Sequence, residues 1–237
     1  MVNRIVEDFS IKVAKGKQLL LVIDDLDKLR NMDQVRSIFI DNLHFLLQIQ
    51  CKKVIAVPVH LTGESEMALR EYDKFGLSLR PNPLKPGADL AELETRKRLL
   101  ANIVEQRTSA GKTLIETNAV EEAIAFSGGI IRQLMQILYG AAREARRNKT
   151  GKITVSHVQK SCGALKNIME AAVITSSGIK FLEKVRVQHI PDAESAEECN
   201  KALLGNQIIA YTNGSVWYDV NPLIAETVRT YAAARKD

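Results

Sequence analysis

Two adjacent carboxylates near the start of the chain are the residues whose type and position best suit chemistry. Asp24 and Asp25 directly follow the apolar run at residues 19–23. Such a run is typical of a strand buried on both faces of a parallel sheet, and ligands of these sheets bind beyond the carboxyl ends of the strands. One carboxylate there can hold Mg²⁺, and its neighbour can orient or deprotonate an attacking water. We therefore take Asp24 as a candidate metal ligand and Asp25 as a candidate catalytic residue; the alternative is a strand that ends in an acidic turn.

The first region, residues 1–82, has the pattern of an α/β domain. Apolar spacing predicts a helix over residues 33–50, and a β-rich run predicts a second strand over 53–59. A proline-rich connector at residues 81–86 marks the end of this region.

The rest of the chain divides into an all-helical region, 83–170, and a mixed region, 171–237. Helices are predicted in the all-helical region over residues 90–106, 117–125, 130–147 and 157–168. In the mixed region, two helices over 178–188 and 195–204 precede a hairpin around Asn213 and Gly214, and a helix over 222–234 follows it. The order helix, helix, hairpin, helix is the signature of a winged-helix domain.

Two motifs together resemble the AAA+ ATPases, and within them the origin-recognition and STAND-like branches. The apolar run before Asp24 and Asp25 resembles the Walker B motif of P-loop ATPases, and Arg132 behind Gly128 and Gly129 resembles the Gly-x-x-Arg "sensor 2" of a helical lid. The resemblance implies a fold made of a partial P-loop NTPase sheet, an all-α lid and a C-terminal winged-helix domain.

The same resemblance implies roles for individual residues in binding and hydrolysing ATP. Asp24 would hold Mg²⁺, Asp25 would position the attacking water, and Arg132 would bind the nucleotide phosphates. The polar "sensor 1" at the end of the next strand is best matched by Thr62, as a catalytic residue, with His60 as the second choice.

The glycine-rich Walker A loop of this family has no match in the chain. The segment at residues 111–113, Gly-Lys-Thr, has Gln106 where the first glycine is required, and it follows a helix where a strand is needed. Each charge-assisted hydrogen bond contributes roughly 1.5–3 kcal/mol, and a P-loop supplies several. We therefore expect poor ATP binding and no hydrolysis by this chain alone. We also expect a missing N-terminal segment or a partner protein to complete the sheet.

Composition excludes some classes of protein and leaves others open. The net charge of +5 permits contact with nucleic acid, and an aromatic content of 5% is too sparse for a base-stacking platform. The three cysteines form no CxxC pair, which favours a reducing cytoplasm. No apolar run approaches the roughly 20 residues of a membrane span.

The alternative to an ATPase is a non-enzymatic adaptor or a DNA-binding winged-helix module derived from one. The predicted recognition helix at residues 195–204 begins with acidic residues and contains one lysine, which disfavours reading of a DNA groove. A basic group at residues 143–152 is the better candidate for phosphate contact. An oligomer is compatible with either function.

Overall fold

The computed structural model describes residues 2–13, 15, 17–26, 29, 31–58, 89–108, 114–173, 176–190, 196–213 and 215–234. The chain divides into two compact units, Met1–Gly76 and Leu77–Asp237. Residues 59–88 are outside the described residues, and so are the predicted sensor 1 candidates Thr62 and His60.

The first unit combines short helices with two parallel strands. Its described elements are α1 (Val2–Lys12), β1 (Leu20–Ile23), α2 (Met32–Arg36), a π-helical turn (Ser37–Asp41), α3 (Leu43–Leu47) and β2 (Lys52–Ile55). Strands β1 and β2 pair in parallel with Val22 opposite Val54, so the two strands predicted in this unit are confirmed.

The single helix predicted over residues 33–50 was wrong, because the helix is interrupted at Asn42. This residue leaves the helical region of backbone space, with φ −115° and ψ 10°. Its backbone N–H bonds to the carbonyl of Ser37 at 3.0 Å. Its side-chain amide donates to the same carbonyl at 2.8 Å. An asparagine side chain that binds the backbone in this way competes with the regular helical pattern.

The two faces of the small sheet have different environments. On one face, Ile55 packs against Val35 and Phe39, which are fully buried. On the other face, Leu20, Val22 and Val54 are 54%, 61% and 56% exposed. The expectation that the first strand is buried on both faces was therefore wrong for this chain, since only one face of the strand is covered.

The second unit is helical with one hairpin. Its described elements are α4 (Leu90–Arg107), α5 (Thr117–Ser127), α6 (Ile131–Arg147), α7 (Val155–Val173), α8 (Ser176–Gln188), α9 (Ala196–Leu204), β3 (Ile208–Asn213), β4 (Ser215–Val220) and α10 (Ala225–Ala233). These bounds confirm the helices and the hairpin that the sequence predicts, to within a few residues at each end.

One apolar core spans the whole of this unit. Every described helix and both strands contribute to it, through residues that include Leu100, Ala123, Ile137, Val158, Leu182, Leu203, Ile208, Val220 and Val228. The helices predicted as a lid thus pack directly against the predicted C-terminal domain, and α7 continues through the predicted boundary at residue 170. The boundary itself stays a prediction.

The hairpin is anchored by two stacked aromatic side chains. Tyr211 and Trp217 lie opposite each other in the antiparallel pair, and their ring centroids are 4.8 Å apart. Both are buried, and with Ile209 they form a small apolar cluster of their own. Of the described helices, none is both long enough and apolar enough to span a membrane.

A partly buried carboxylate near the end of the hairpin, that of Asp219, leads to a prediction about pH. Burial raises the pKa of Asp219 above its ordinary value of 3.8, while the N–H of Val220, His189 and Arg186 act in the opposite direction. The fold therefore favours the neutral carboxyl, so stability is full below pH 3.8 and is lost as the pH rises through the raised pKa.

We expect Asp219→Asn to raise the melting temperature by a few degrees at pH 7. The asparagine oxygen can still accept the N–H of Val220, which now donates to Asp219 at 2.7 Å. The difference between variant and parent should vanish below pH 3.8. Melting curves of both proteins across this range test the prediction, and a variant that is less stable at pH 7 would contradict it.

Candidate functional site

The acidic pair lies at the carboxyl end of the parallel strands. The pairing of β1 with β2 continues to the last residue of β1, since the N–H of Ala56 donates to the carbonyl of Ile23 at 3.0 Å. Asp24 and Asp25 follow at once, and both are exposed. The N–H of Asp25 donates to Oδ1 of Asp24 at 2.8 Å, which fixes the first carboxylate against the turn.

The backbone of Asp25 is in the left-handed region, with φ +69°. This region costs most residues about 1–2 kcal/mol, although aspartate and asparagine tolerate it better than others. Non-glycine residues in such a conformation cluster at functional sites, where the surrounding structure holds them in place. The same region is also occupied by Lys15, Lys149, His189 and Asn206, so the conformation is compatible with a functional turn but does not by itself identify one.

The donors present at the pair suit a magnesium ion that keeps most of its water. Among the described residues, no group of three or more His, Cys, Asp or Glu side chains could hold a metal ion. Mg²⁺ commonly uses one or two carboxylates and takes its other ligands from water and from substrate phosphates. Asp24 and Asp25 fit that mode, and they do not form an all-protein cage.

A tight glycine turn sets the start of α6 and thereby the position of Arg132. Gly128 ends α5 with φ +55°, and Gly129 follows with φ +78°. The hydroxyl of Ser127, which is buried, accepts the N–H of Gly129 at 3.1 Å and donates to the carbonyl of Ile124 at 2.7 Å. Helix α6 then begins at Ile131, so the exposed Arg132 lies in its first turn.

Arg132 lines an open cleft of about 450 Å³ within the second unit. The other lining residues are Arg107, Ile131, Met135, Gln136 and Tyr139. Arg107 is the last residue of α4, so the cleft brings together guanidinium groups from two helices. Sequence reasoning missed Arg107, because nothing in the pattern connects the end of one helix with the start of another.

Next to Arg132, a buried pair of amides joins α6 to the end of the hairpin. Gln133 Nε2 donates to Asn221 Oδ1 at 3.1 Å, and Asn221 Nδ2 donates to Gln133 Oε1 at 3.0 Å. Each amide also donates to a backbone carbonyl, that of Phe126 for Gln133 and that of Asn206 for Asn221. This network ties the segment that carries Arg132 to the C-terminal part of the same unit.

Two solved structures of the ORC2 protein of Aeropyrum pernix are similar to this chain, one of its ADPNP–ADP complexes and one of its ADP form. The identity is 14% in each case, 99% of this chain and 69% of the ORC2 chain are covered, and the TM-scores are 0.42 and 0.43. No protein-family model and no curated protein matches. A similarity this distant assigns no family, so a function has to be argued from the residues.

The predicted site residues thus fall in both units. Asp24 and Asp25 are adjacent at the end of β1 in the first unit, and Arg132 lies in the cleft of the second. The idea that they act on one nucleotide stays a prediction.

Proposed function

We propose that this chain is a nucleotide-responsive module of the AAA+ ATPase type, of the origin-recognition or STAND-like branch. The observation that carries the proposal is the acidic pair at the carboxyl end of two parallel strands, with Asp25 held in a left-handed conformation. Parallel sheets bind their ligands at this end, and exposed carboxylates there suit the Mg²⁺ of a nucleotide.

In this proposal the residues divide the chemistry of ATP hydrolysis among them. Asp24 takes the Mg²⁺ directly or through water, and Asp25 positions the attacking water and accepts its proton. Arg132 binds the phosphates, and Thr62, or else His60, acts as the polar sensor 1. The bound Mg²⁺ would neutralise charge that develops on the phosphates.

The remaining part of the site, a P-loop, has to come from a further segment or from a partner protein. The exposed apolar face at Leu20, Val22 and Val54 supports this part of the proposal, because parallel sheets are normally covered on both faces. The sheet also has two strands in the described part of the chain, fewer than independently stable sheets have. We further propose that residues 171–237 form a winged-helix domain with an intramolecular or protein-docking role.

A paramagnetic metal tests the proposal directly. Mn²⁺ is a close substitute for Mg²⁺ at oxygen ligands, and it broadens NMR signals of nearby nuclei. We expect a titration of the chain with Mn²⁺ to broaden the amide signals of residues 22–26 selectively, and addition of ATP to strengthen the effect. Asp24→Asn should reduce the broadening at a given Mn²⁺ concentration by roughly tenfold or more, since a charged ligand is lost.

Two controls make the outcome decisive. Asp33→Asn removes an exposed carboxylate at the start of α2, outside the proposed site, and should leave the broadening unchanged. Equal broadening at Asp24 and at Asp33 would refute the metal site. Calorimetry with Mg²⁺ and ATP should show no micromolar binding by this chain, and tight binding would contradict the requirement for a P-loop from elsewhere.

The alternative, a non-enzymatic adaptor or DNA-binding module, is favoured by a different observation. Four exposed basic residues lie near the end of α6 and have no acidic partner among the described residues; they are Arg143, Arg146, Lys149 and Lys152. Such a group suits phosphate contact without base reading. If Mn²⁺ shows no preference for residues 22–26, this alternative replaces the ATPase-type proposal.

A further inference from the structure

We infer that Arg107 is a second phosphate-binding residue in the cleft of Arg132, and that this cleft binds the polyphosphate group of a nucleotide. The inference rests on the proposed function, which assigns a phosphate role to Arg132 alone. The inference adds to that function a second residue, from another helix. It also names the chemical class of the ligand, a chain of phosphates that can bind two guanidinium groups at once.

The two arginines have no partner for their charge among the described residues. Neither makes an ion pair or a hydrogen bond with another described side chain, although both line the same cleft. Three other arginines of this unit are paired within their own helices: Arg147 with Glu144 at 3.1 Å, Arg186 with Glu183 at 2.7 Å and Arg229 with Glu226 at 2.6 Å. The cleft is thus a place where positive charge is left for an external anion.

The helix dipoles explain one of these charges and not the other. Arg107 ends α4, where a cation is favourable beside the negative end of the helix. Arg132 lies in the first turn of α6, where the helix presents its positive end and a cation is unfavourable. Two positively charged guanidinium groups and the positive end of α6 thus border one cleft. A multiply charged anion bound there would reduce the repulsion among these like charges.

The apolar and aromatic residues that line the cleft favour a stronger interaction with phosphate. Ile131 and Met135 are partly buried and pack against the main core of the unit. Tyr139, one turn further along α6, is 69% exposed and adds an aromatic wall. Charges act more strongly beside such apolar groups than in open water. The planar fork of a guanidinium also binds two phosphate oxygens at once.

The test is binding of inorganic tripolyphosphate to the chain, measured by calorimetry at low ionic strength. We expect Arg107→Gln and Arg132→Gln each to weaken binding by roughly tenfold, about 1.4 kcal/mol. Two exposed basic residues outside both the cleft and the basic group at the end of α6 provide controls. Arg98→Gln on α4 and Lys160→Gln on α7 each remove one positive charge, and each should weaken binding by less than about twofold, because neither residue lines the cleft and distant exposed charges are screened.

The outcomes separate this inference from the proposed function. If Arg107→Gln binds like the parent while Arg132→Gln loses affinity, the inference is wrong and the phosphate role of Arg132 stands. Equal losses of tripolyphosphate affinity in all four variants would mean non-specific attraction and would overturn the inference. The absence of tripolyphosphate binding by the parent protein, or a preference for duplex DNA over tripolyphosphate, would also overturn it. Failure of the proposed function itself would show in the Mn²⁺ titration, which depends on Asp24 and involves neither arginine.

Discussion

Replacing Asn221 with alanine is expected to lower the free energy of unfolding of the second unit by about 2–4 kcal/mol. The change removes both hydrogen bonds to Gln133, the bond to the carbonyl of Asn206 and the acceptor for the N–H of Leu223. The amide of Gln133 is then buried with its acceptor unpaired. A buried polar group without a partner costs about 1–3 kcal/mol, which is more than the bond itself contributes.

The single tryptophan of the chain makes this measurement specific. Trp217 is buried in the hairpin, so its fluorescence during denaturation reports on the second unit. Asn167→Ala is the matched control, because Asn167 is exposed on α7, and its replacement should leave stability within about 0.5 kcal/mol. Gln133→Ala and the double variant complete a cycle, for which we expect a coupling of about 1–3 kcal/mol. Additive losses would show that the two amides act independently.

The same network also holds the segment that carries its neighbour in the chain, Arg132. Gln133 directly follows Arg132, and its bond to the carbonyl of Phe126 holds the glycine turn closed at 2.9 Å. The turn and the first residues of α6 are therefore fixed from the side of the hairpin. We therefore expect a change at either end of this network to alter where the guanidinium of Arg132 lies in its cleft.

Local patterns predicted most of the second unit, and in the first unit they failed where one side chain interrupts a helix. The helix predicted over residues 90–106 is α4, Leu90–Arg107. It could be predicted because apolar spacing lies within the segment and a capping residue comes directly before it. Asp89 provides this cap, accepting the N–H of Ala91 at 2.8 Å. The break at Asn42 was not predicted, because apolar spacing continues through it and the cause is one side-chain amide.

The residues of the candidate site fall into two groups, those beside a short motif and those whose neighbours are distant in the chain. Asp24, Asp25 and Arg132 stand next to short motifs, so the sequence could identify them as candidates. Arg107 and Asn221 lie beside residues that are distant in the chain, 88 positions away in the case of Asn221 and Gln133, and no spacing rule connects them. The exposed face of β1 is a third case: an apolar run predicts burial, but it does not say whether the cover belongs to the same chain.

A change from Gly128 to alanine is expected to lower the free energy of unfolding by about 2–4 kcal/mol, from two separate causes. The backbone φ of +55° is unfavourable for a residue with a side chain. An added Cβ would also lie 2.3 Å from Cδ1 of Ile209 and 3.2 Å from the hydroxyl of Tyr211. The hairpin packs against this turn so closely that only glycine fits without movement.

The two causes can be separated with one further substitution. Ile209→Val removes the Cδ1 atom that the new Cβ would meet, at a cost of about 0.5–1.5 kcal/mol by itself. Combined with Gly128→Ala, it should recover the part of the loss that comes from the contact with Ile209. The part that comes from the backbone should remain, and so should any part from Cδ of Pro222, which would lie 3.1 Å from the new Cβ. Gly151→Ala is the control, since a Cβ at Gly151 has nothing within 4 Å, and it should change stability by less than about 0.5 kcal/mol.

The same variants test whether the turn positions Arg132. Tyr211 donates to the carbonyl of Gly128 at 3.3 Å, so a shift of the turn disturbs a contact that ties it to the hairpin. If the hairpin fixes the start of α6, Gly128→Ala weakens tripolyphosphate binding, and the Ile209→Val combination restores most of the affinity although it restores only part of the stability. Affinity that follows stability in every variant would mean that the turn supports the fold alone.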